Sequence, residues 1–155
     1  MLKNPLVHVF LISMIPLIEL RGGIIWGAAA GLGLWENMIA CIIGNIIPVP
    51  FILLFIRKIL HLMKMVPRLS KIAVWVEEKA DKNKDKVTKY ATWGLLLFVG
   101  IPLPGTGAWT GALVAAMMNM RLKYAIPSIL GGLVLASVIM SLGAYGLVSA
   151  FAVFS

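Results

Sequence analysis

Two charged residues, Glu19 and Arg21, stand in a mostly apolar stretch that runs from Leu6 to Leu34. A charged side chain at the centre of a membrane-spanning helix costs about 2.5–3.5 kcal/mol on insertion scales, so such residues usually have a function. Arg21 could anchor an anion, and Glu19 could accept a proton or pair with a cation. The alternative interpretation is a structural ion pair that holds two helical hairpins together.

The spacing of this pair matters because residues two apart point to different sides of a regular helix. Glu19 and Arg21 come directly before Gly22 and Gly23. A turn at this point would allow both side chains to face one cavity. We therefore predict that the helix is interrupted here and that the two charges converge.

A second unusual stretch runs from Ile101 to Gly111 and contains two prolines and three glycines. It lies inside a segment, residues 91–120, that has no Asp, Glu, Lys, Arg or His. Proline donates no backbone hydrogen bond and disfavours a helical residue before it, so one helix should stop near Val99 and another should begin near Thr106. Broken backbone at membrane depth is tolerated only beside protein or water, and transporters place substrate sites at such breaks.

The predicted substrate site draws on both stretches. Backbone N–H groups at the start of the second helix, together with its dipole, suit an anion. The Trp109 ring could pack beside a substrate tail or lie in the core. Asn45 could bond carbonyl groups freed by nearby prolines or line the pathway. The candidate substrate-binding residues are Glu19, Arg21, Asn45, Pro102, Pro104, Gly105, Thr106, Gly107 and Trp109, with Glu19 also the candidate for proton coupling.

The composition identifies the kind of protein that must position these residues. Of 155 residues, 61% are apolar and 13% are charged, whereas a soluble domain has about 45–50% and about 25%. We predict one multi-pass membrane domain over residues 1–155. No Cys/His cluster, phosphate-binding lysine loop or nucleophile–base pair is present, so the sequence predicts no enzyme, no metal site and no cofactor.

The chain also contains an internal repeat. Ile15-Pro16-Leu17 corresponds to Ile101-Pro102-Leu103. We assign repeat 1 to about 6–56, a linker to 57–90 and repeat 2 to about 91–155. The segment from Leu6 to Leu34 would be about 44 Å long as one helix, which exceeds a membrane core of about 30 Å. It is therefore predicted to form a re-entrant hairpin, and the crossing at 38–56 follows it. One crossing per repeat makes the repeats opposite in orientation.

Charge placement gives the orientation. Residues 57–89 contain ten Lys or Arg against four Asp or Glu, which indicates a cytoplasmic linker and accounts for the net charge of +8 without nucleic acid. The same orientation places Glu36 outside and Arg121 inside. Apolar residues from Ile59 to Val76 recur every three or four positions, which predicts an amphipathic helix on the cytoplasmic membrane surface. Two crossings leave much lateral surface uncovered, so a homodimer is expected.

Both stretches resemble motifs of a known family. The sequence Ile15 to Gly23 resembles the first motif of the prokaryotic small multidrug export proteins, and Phe98 to Gly111 resembles their second motif. The likeness in layout covers nearly the whole chain. That family is similar to the DedA superfamily, whose members have paired re-entrant hairpins in inverted repeats and include proteins implicated in moving lipids such as undecaprenyl phosphate. This chain lacks the second arginine-bearing hairpin of DedA proteins. The resemblance therefore implies only the half of their site that corresponds to Glu19 and Arg21.

The expected fold is an all-α integral membrane protein with an inverted repeat of re-entrant helical hairpin plus transmembrane helix, joined by a cytoplasmic amphipathic helix. The resemblance implies a transporter or lipid flippase of the prokaryotic inner membrane. The predicted substrate is an anionic amphiphile such as a lipid phosphate, moved with protons through Glu19. One alternative is proton-coupled export of cationic drugs, and another is a membrane scaffold without transport. The expected partners are membrane lipids and the amphiphilic substrate.

Overall fold

The computed structural model of the protein describes residues 4–65, 67, 70–71, 74 and 84–154. Residues 70, 71 and 74 are helical, no strand occurs in the described residues, and seven longer α-helices are present. They are α1 (Pro5–Met14), α2 (Glu19–Ala29), α3 (Leu34–Ile46), α4 (Pro48–Lys64), α5 (Lys84–Gly100), α6 (Ala108–Met117) and α7 (Leu122–Phe154). The all-helical class predicted from the sequence is therefore confirmed.

Helices α1 and α2 form a helical hairpin, which we call hairpin 1. The rings of His8 and Trp26 are 5.4 Å apart, and the Ser13 hydroxyl packs directly onto Gly23. The chain reverses at residues 15–18, where Pro16 ends α1 and Leu17 takes a left-handed conformation with φ of 81°. A turn at this position confines Glu19 and Arg21 to the start of α2.

Helices α5 and α6 form the corresponding hairpin 2. The chain breaks at residues 101–107, and Gly105 at the centre has φ of 85°. Gly111 of α6 packs against Val99 and Leu95 of α5, where a Cβ atom would collide with Val99. The helix before the break ends one residue later than predicted, at Gly100, and the next begins at Ala108 rather than near Thr106.

Each hairpin leads into a long apolar helix. Leu34–Ile56 and Leu122–Val153 are the two stretches of the described residues that are long and apolar enough to cross a membrane. The first includes the crossing predicted at 38–56. Helix α7 has 33 residues and is about 50 Å long. Residues Trp35 to Asn37, a short polar stretch in which a break between the two apolar segments is expected, form the first turn of α3, and the chain turns instead at 30–33.

The two halves of the chain make equivalent contacts. Gly44 of α3 packs against Phe10 of α1, and Gly131 of α7 packs against Leu96 of α5. At these positions a larger side chain would overlap the neighbouring helix, so the glycines allow each long helix to approach its hairpin closely. The halves thus share both the order of their elements and the way each hairpin packs on its long helix.

The long helices of the two halves run in opposite directions. Tyr145, towards the end of α7, donates a hydrogen bond to the Leu32 carbonyl just before α3 (2.9 Å). Helix α4, which continues α3 away from this point, packs against α6 and α7. The linker is described only in part. Helix α4 extends to Lys64, so residues 59–64 of the predicted surface helix continue the long apolar helix, and turns at Met65 and Pro67 interrupt the single helix predicted from Ile59 to Val76. The other described residues of that stretch, 70, 71 and 74, are helical, the rest of it lies outside the described residues, and residues 84–89 form the first turns of α5.

Candidate functional site

The candidate site lies where the turn of hairpin 1 meets the break of hairpin 2. Glu19 is the first residue of α2 and is 4% exposed. Its φ of 50° is unusual for a residue other than glycine. This conformation directs the carboxylate away from α1 and towards α6. Arg21 follows two residues later and bonds the Glu19 carboxylate. Helix α2 continues unbroken through Gly22 and Gly23, so the interruption predicted there is wrong, and the turn lies at 15–18 instead.

Arg21 connects the two hairpins through several hydrogen bonds. Its Nη1 lies 3.1 Å from Oε2 of Glu19. Its Nη2 donates to the Thr106 hydroxyl at 3.0 Å, the Thr106 carbonyl at 3.1 Å and the Ile101 carbonyl at 3.2 Å. Guanidinium groups present several donors in a rigid plane and suit such multiple recognition. Arg21 therefore fixes the conformation of the broken segment opposite it.

The Glu19 carboxylate occupies the N-terminus of α6. The backbone N–H group of Trp109 donates to Oε1 of Glu19 at 3.2 Å. The carboxylate also lies directly on Gly107, the N-cap residue of α6, where a Cβ atom would overlap it. The N-terminus of a helix carries partial positive charge and unpaired N–H groups. The carboxylate is thus held between a helix N-terminus and a guanidinium group.

Thr106 organises the break of hairpin 2. Its hydroxyl lies 2.7 Å from the Ile101 carbonyl and 2.9 Å from the Leu103 carbonyl, so it can donate to either. The same oxygen accepts from Arg21. The Ile101 and Leu103 carbonyls, which the break leaves without helical partners, are thereby satisfied within the protein. A single hydroxyl joins the broken backbone to the ion pair.

The structure does not join every predicted residue to this pair. Pro102, Pro104 and Gly105 belong to the break, but the groups that bond Arg21 come from Ile101 and Thr106. Asn45 is fully buried in α3, and its amide has no hydrogen-bond partner in the described part of the chain. Ile101 was not predicted, since it contributes a backbone carbonyl and side-chain chemistry gives no signal for that.

A second polar network fastens the other end of hairpin 1. Asn37 Nδ2 donates to the Ile24 carbonyl at 2.9 Å and lies 3.1 Å from the Tyr145 hydroxyl. The Asn37 amide packs directly onto Gly27 of α2. Neither Asn37 nor Tyr145 was singled out in the sequence, because an isolated amide or phenol near a membrane surface is common. Together they tie α2 to α3 and α7.

One known family matches most of the chain. A family model described as "Putative small multi-drug export protein" matches residues 19–139. The chain belongs to this family. The matched region contains the ion pair and the complete break of hairpin 2, so both parts of the candidate site fall within it. Searches of curated proteins and of solved structures gave no match.

Membership in the small multi-drug export family indicates a membrane protein of the export class rather than an enzyme. The export description agrees with the arrangement of the site. Helix N-termini at breaks within the membrane are the structures that transporters use to hold anions. In this protein the N-terminus of α6, which follows a break between two helices, holds a carboxylate.

Proposed function

We propose that this protein transports an anionic amphiphile, most concretely a lipid phosphate such as undecaprenyl phosphate, through a midplane site between its hairpins. The observation that carries the proposal is the position of the Glu19 carboxylate. It lies against Gly107 at the N-terminus of α6 and within 3.1 Å of Arg21. A group that holds one carboxylate in this way can hold another anion of similar size.

In the proposed mechanism Glu19 acts as an internal anion that competes with the substrate. Protonation removes the charge of Glu19, which weakens its attraction to Arg21 and to the N-terminus of α6. The substrate headgroup then takes the vacated position against Trp109 N–H and the guanidinium. Release of the headgroup and loss of the proton return Glu19 to its place. Transport is therefore coupled to protons through one carboxyl group.

The proposed placement in the membrane follows the shape of the hairpins. Each hairpin enters and leaves on one side, and each long helix crosses once. The opposite directions of α3–α4 and α7, with the equivalent glycine contacts at Gly44 and Gly131, support an inverted repeat. The positive charge of the linker favours a cytoplasmic position for the end of α4 and the start of α5 in a prokaryotic cell. A homodimer remains a prediction.

Transport into proteoliposomes tests the proposed substrate. With a fluorescent lipid phosphate, we expect Arg21→Ala to abolish transport, since it removes the fixed positive charge. Glu19→Gln should still bind the lipid but lose the dependence of transport on a pH gradient. Glu36→Gln, which neutralises an exposed glutamate in α3, is the matched control and should behave like the wild type.

The family description favours a second candidate, proton-coupled export of cationic drugs. In that mechanism the drug cation replaces Arg21 beside the Glu19 carboxylate. The order of effects then reverses: Glu19→Gln eliminates export of a cationic dye, whereas Arg21→Ala retains part of it. A scaffold without transport would show no flux of either substrate in the wild type, and both substitutions would lower the yield of folded protein.

Single-cysteine labelling in a Cys41→Ala background tests the placement in the membrane. Cysteines at Asn4 and Glu36 should react with an impermeant reagent from outside the cell. Those at Asn83 and Leu122 should react only from inside. Labelling of Asn4 and Glu36 from opposite sides would mean that hairpin 1 spans the membrane, and the proposed midplane site would be wrong.

A further inference from the structure

We infer that the end of the molecule where hairpin 2 begins carries a binding surface for the headgroups of anionic phospholipids. The surface, which we call the basic collar, consists of exposed basic and aromatic residues at the start of α5 and around the start of α7. Its members are Lys89, Tyr90, Trp93, Arg121, Lys123 and Tyr124. The inference does not depend on which substrate is transported.

The packing of α5 on α7 brings these residues to one level. Leu96 packs against Gly131, and Gly100 packs against Leu135. The two helices are therefore parallel, with neighbouring residues about 35 positions apart. The same offset sets Lys89 level with Tyr124. Hairpin 2 thus begins and ends within the collar, because α6 returns through the turn at 118–121.

The side chains of the collar are available for contact. Tyr90 is 77% exposed and Trp93 is 61% exposed. Lys89, Arg121 and Lys123 are also exposed. The ammonium group of Lys123 lies 4.9 Å from the centre of the Tyr124 ring, which holds a cation beside an aromatic ring. Tyrosine and tryptophan occupy the headgroup level of bilayers, where one part of the ring is apolar and the other is wet.

The charge of the basic collar indicates which lipids it binds. Between residues 86 and 155 the sequence contains four basic residues, at 86, 89, 121 and 123, and no Asp or Glu. The opposite end differs: its described residues include Asn4, Trp35, Glu36 and Tyr145 and no Lys or Arg. Basic residues next to a membrane attract anionic headgroups. Aromatic anchors alone would fit either end, but among the residues that the structure describes, positive charge accompanies them at the collar.

Electron paramagnetic resonance with spin-labelled lipids tests the inference. The protein is placed in nanodiscs of phosphatidylcholine, and the motionally restricted fraction is measured for labelled phosphatidylglycerol and for labelled phosphatidylcholine. We expect the wild type to prefer phosphatidylglycerol and the preference to fall about fivefold for each charge removed in Arg121→Gln/Lys123→Gln. Raising the salt concentration should lower the preference as well.

The control variant Lys79→Gln/Lys82→Gln removes the same charge from the linker before α5 and should retain most of the preference. If both variants lost the same share of the preference for phosphatidylglycerol, the preference would depend on net charge alone, and the basic collar would not be the binding surface. Inorganic phosphate, compared with chloride at the same ionic strength, distinguishes a free anion from a lipid. Displacement of labelled phosphatidylglycerol by phosphate would also overturn the inference, and so would a wild type that shows no lipid preference.

Discussion

Replacement of Gly107 by alanine tests the central contact of the site. Gly107 has φ of −92° and ψ of −167°, which alanine also adopts, so the backbone itself imposes no penalty. The new methyl group would overlap the Glu19 carboxylate and force it out of its position. The expected consequence is loss of the contacts that hold this carboxylate, without any change in the charges of the protein.

The size of the effect follows from those contacts. The carboxylate accepts from Arg21 at 3.1 Å and from Trp109 N–H at 3.2 Å. Hydrogen bonds to a charged group contribute about 1.5–3 kcal/mol each, and disruption of a buried pair costs about 3–5 kcal/mol. The displaced side chain regains some solvation. We therefore expect Gly107→Ala to lower the free energy of unfolding by about 3 kcal/mol.

Equilibrium unfolding in mixed micelles, followed by circular dichroism, measures this change. Gly94→Ala is the control: Gly94 lies within α5 with open space around its Cα, so stability should stay the same or rise slightly. In a Glu19→Ala background, Gly107→Ala should cost only the lower N-cap preference of alanine, about 0.5–1 kcal/mol. If Gly107→Ala costs the same with and without Glu19, the carboxylate is not held as described.

Three further changes probe the breaks and the second network. Leu17 is 97% exposed and left-handed, so Leu17→Gly should be about 1 kcal/mol more stable than Leu17→Ala in the same unfolding assay; equal stabilities would contradict the strain. Thr106→Val should lower stability by about 1–2 kcal/mol and Thr106→Ser by much less, because serine keeps the hydroxyl that bonds Arg21. Tyr145→Phe should lower the free energy of unfolding by about 1 kcal/mol, because it removes the hydrogen bond to the Leu32 carbonyl. An unchanged unfolding midpoint would contradict that hydrogen bond.

Much of the architecture could be predicted because it depends on local rules. Pro102 and Pro104 cannot continue a helix, so the break of hairpin 2 falls where the sequence places it, within one or two residues. In hairpin 1, Pro16 ends α1 by the same rule, whereas length alone does not require a reversal, because α7 continues unbroken for 33 residues. Prediction was less accurate at the turn after α2. There Gly31, with φ of 75°, ends the helix before the more polar Trp35 and Glu36, because backbone conformation rather than polarity determines where the chain turns.

The chemistry of the site could be predicted only in part. Charge in an apolar stretch identified Glu19 and Arg21, and helix-start rules identified the N–H groups near Gly107. No local rule shows that the carboxylate itself would fill that helix N-terminus, because this requires contact between residues about ninety positions apart. The carbonyl of Ile101 was missed for the same reason. Every residue has a backbone carbonyl, so a particular carbonyl becomes part of a site only when the tertiary fold places a hydrogen-bond donor beside it.

The two hairpins are fastened to the molecule in different ways, and this predicts different local stabilities. Helix α2 is held at its far end by Asn37 and, through the Leu32 carbonyl, by Tyr145. Helix α6 packs mainly through small apolar residues, and in the described residues its only side-chain hydrogen bond to the rest of the molecule is the one that Glu19 accepts. Once that bond breaks, local opening of α6 needs no further polar group to separate, whereas opening of α2 does. Amide hydrogens of α6 should therefore exchange with solvent deuterium before those of α2.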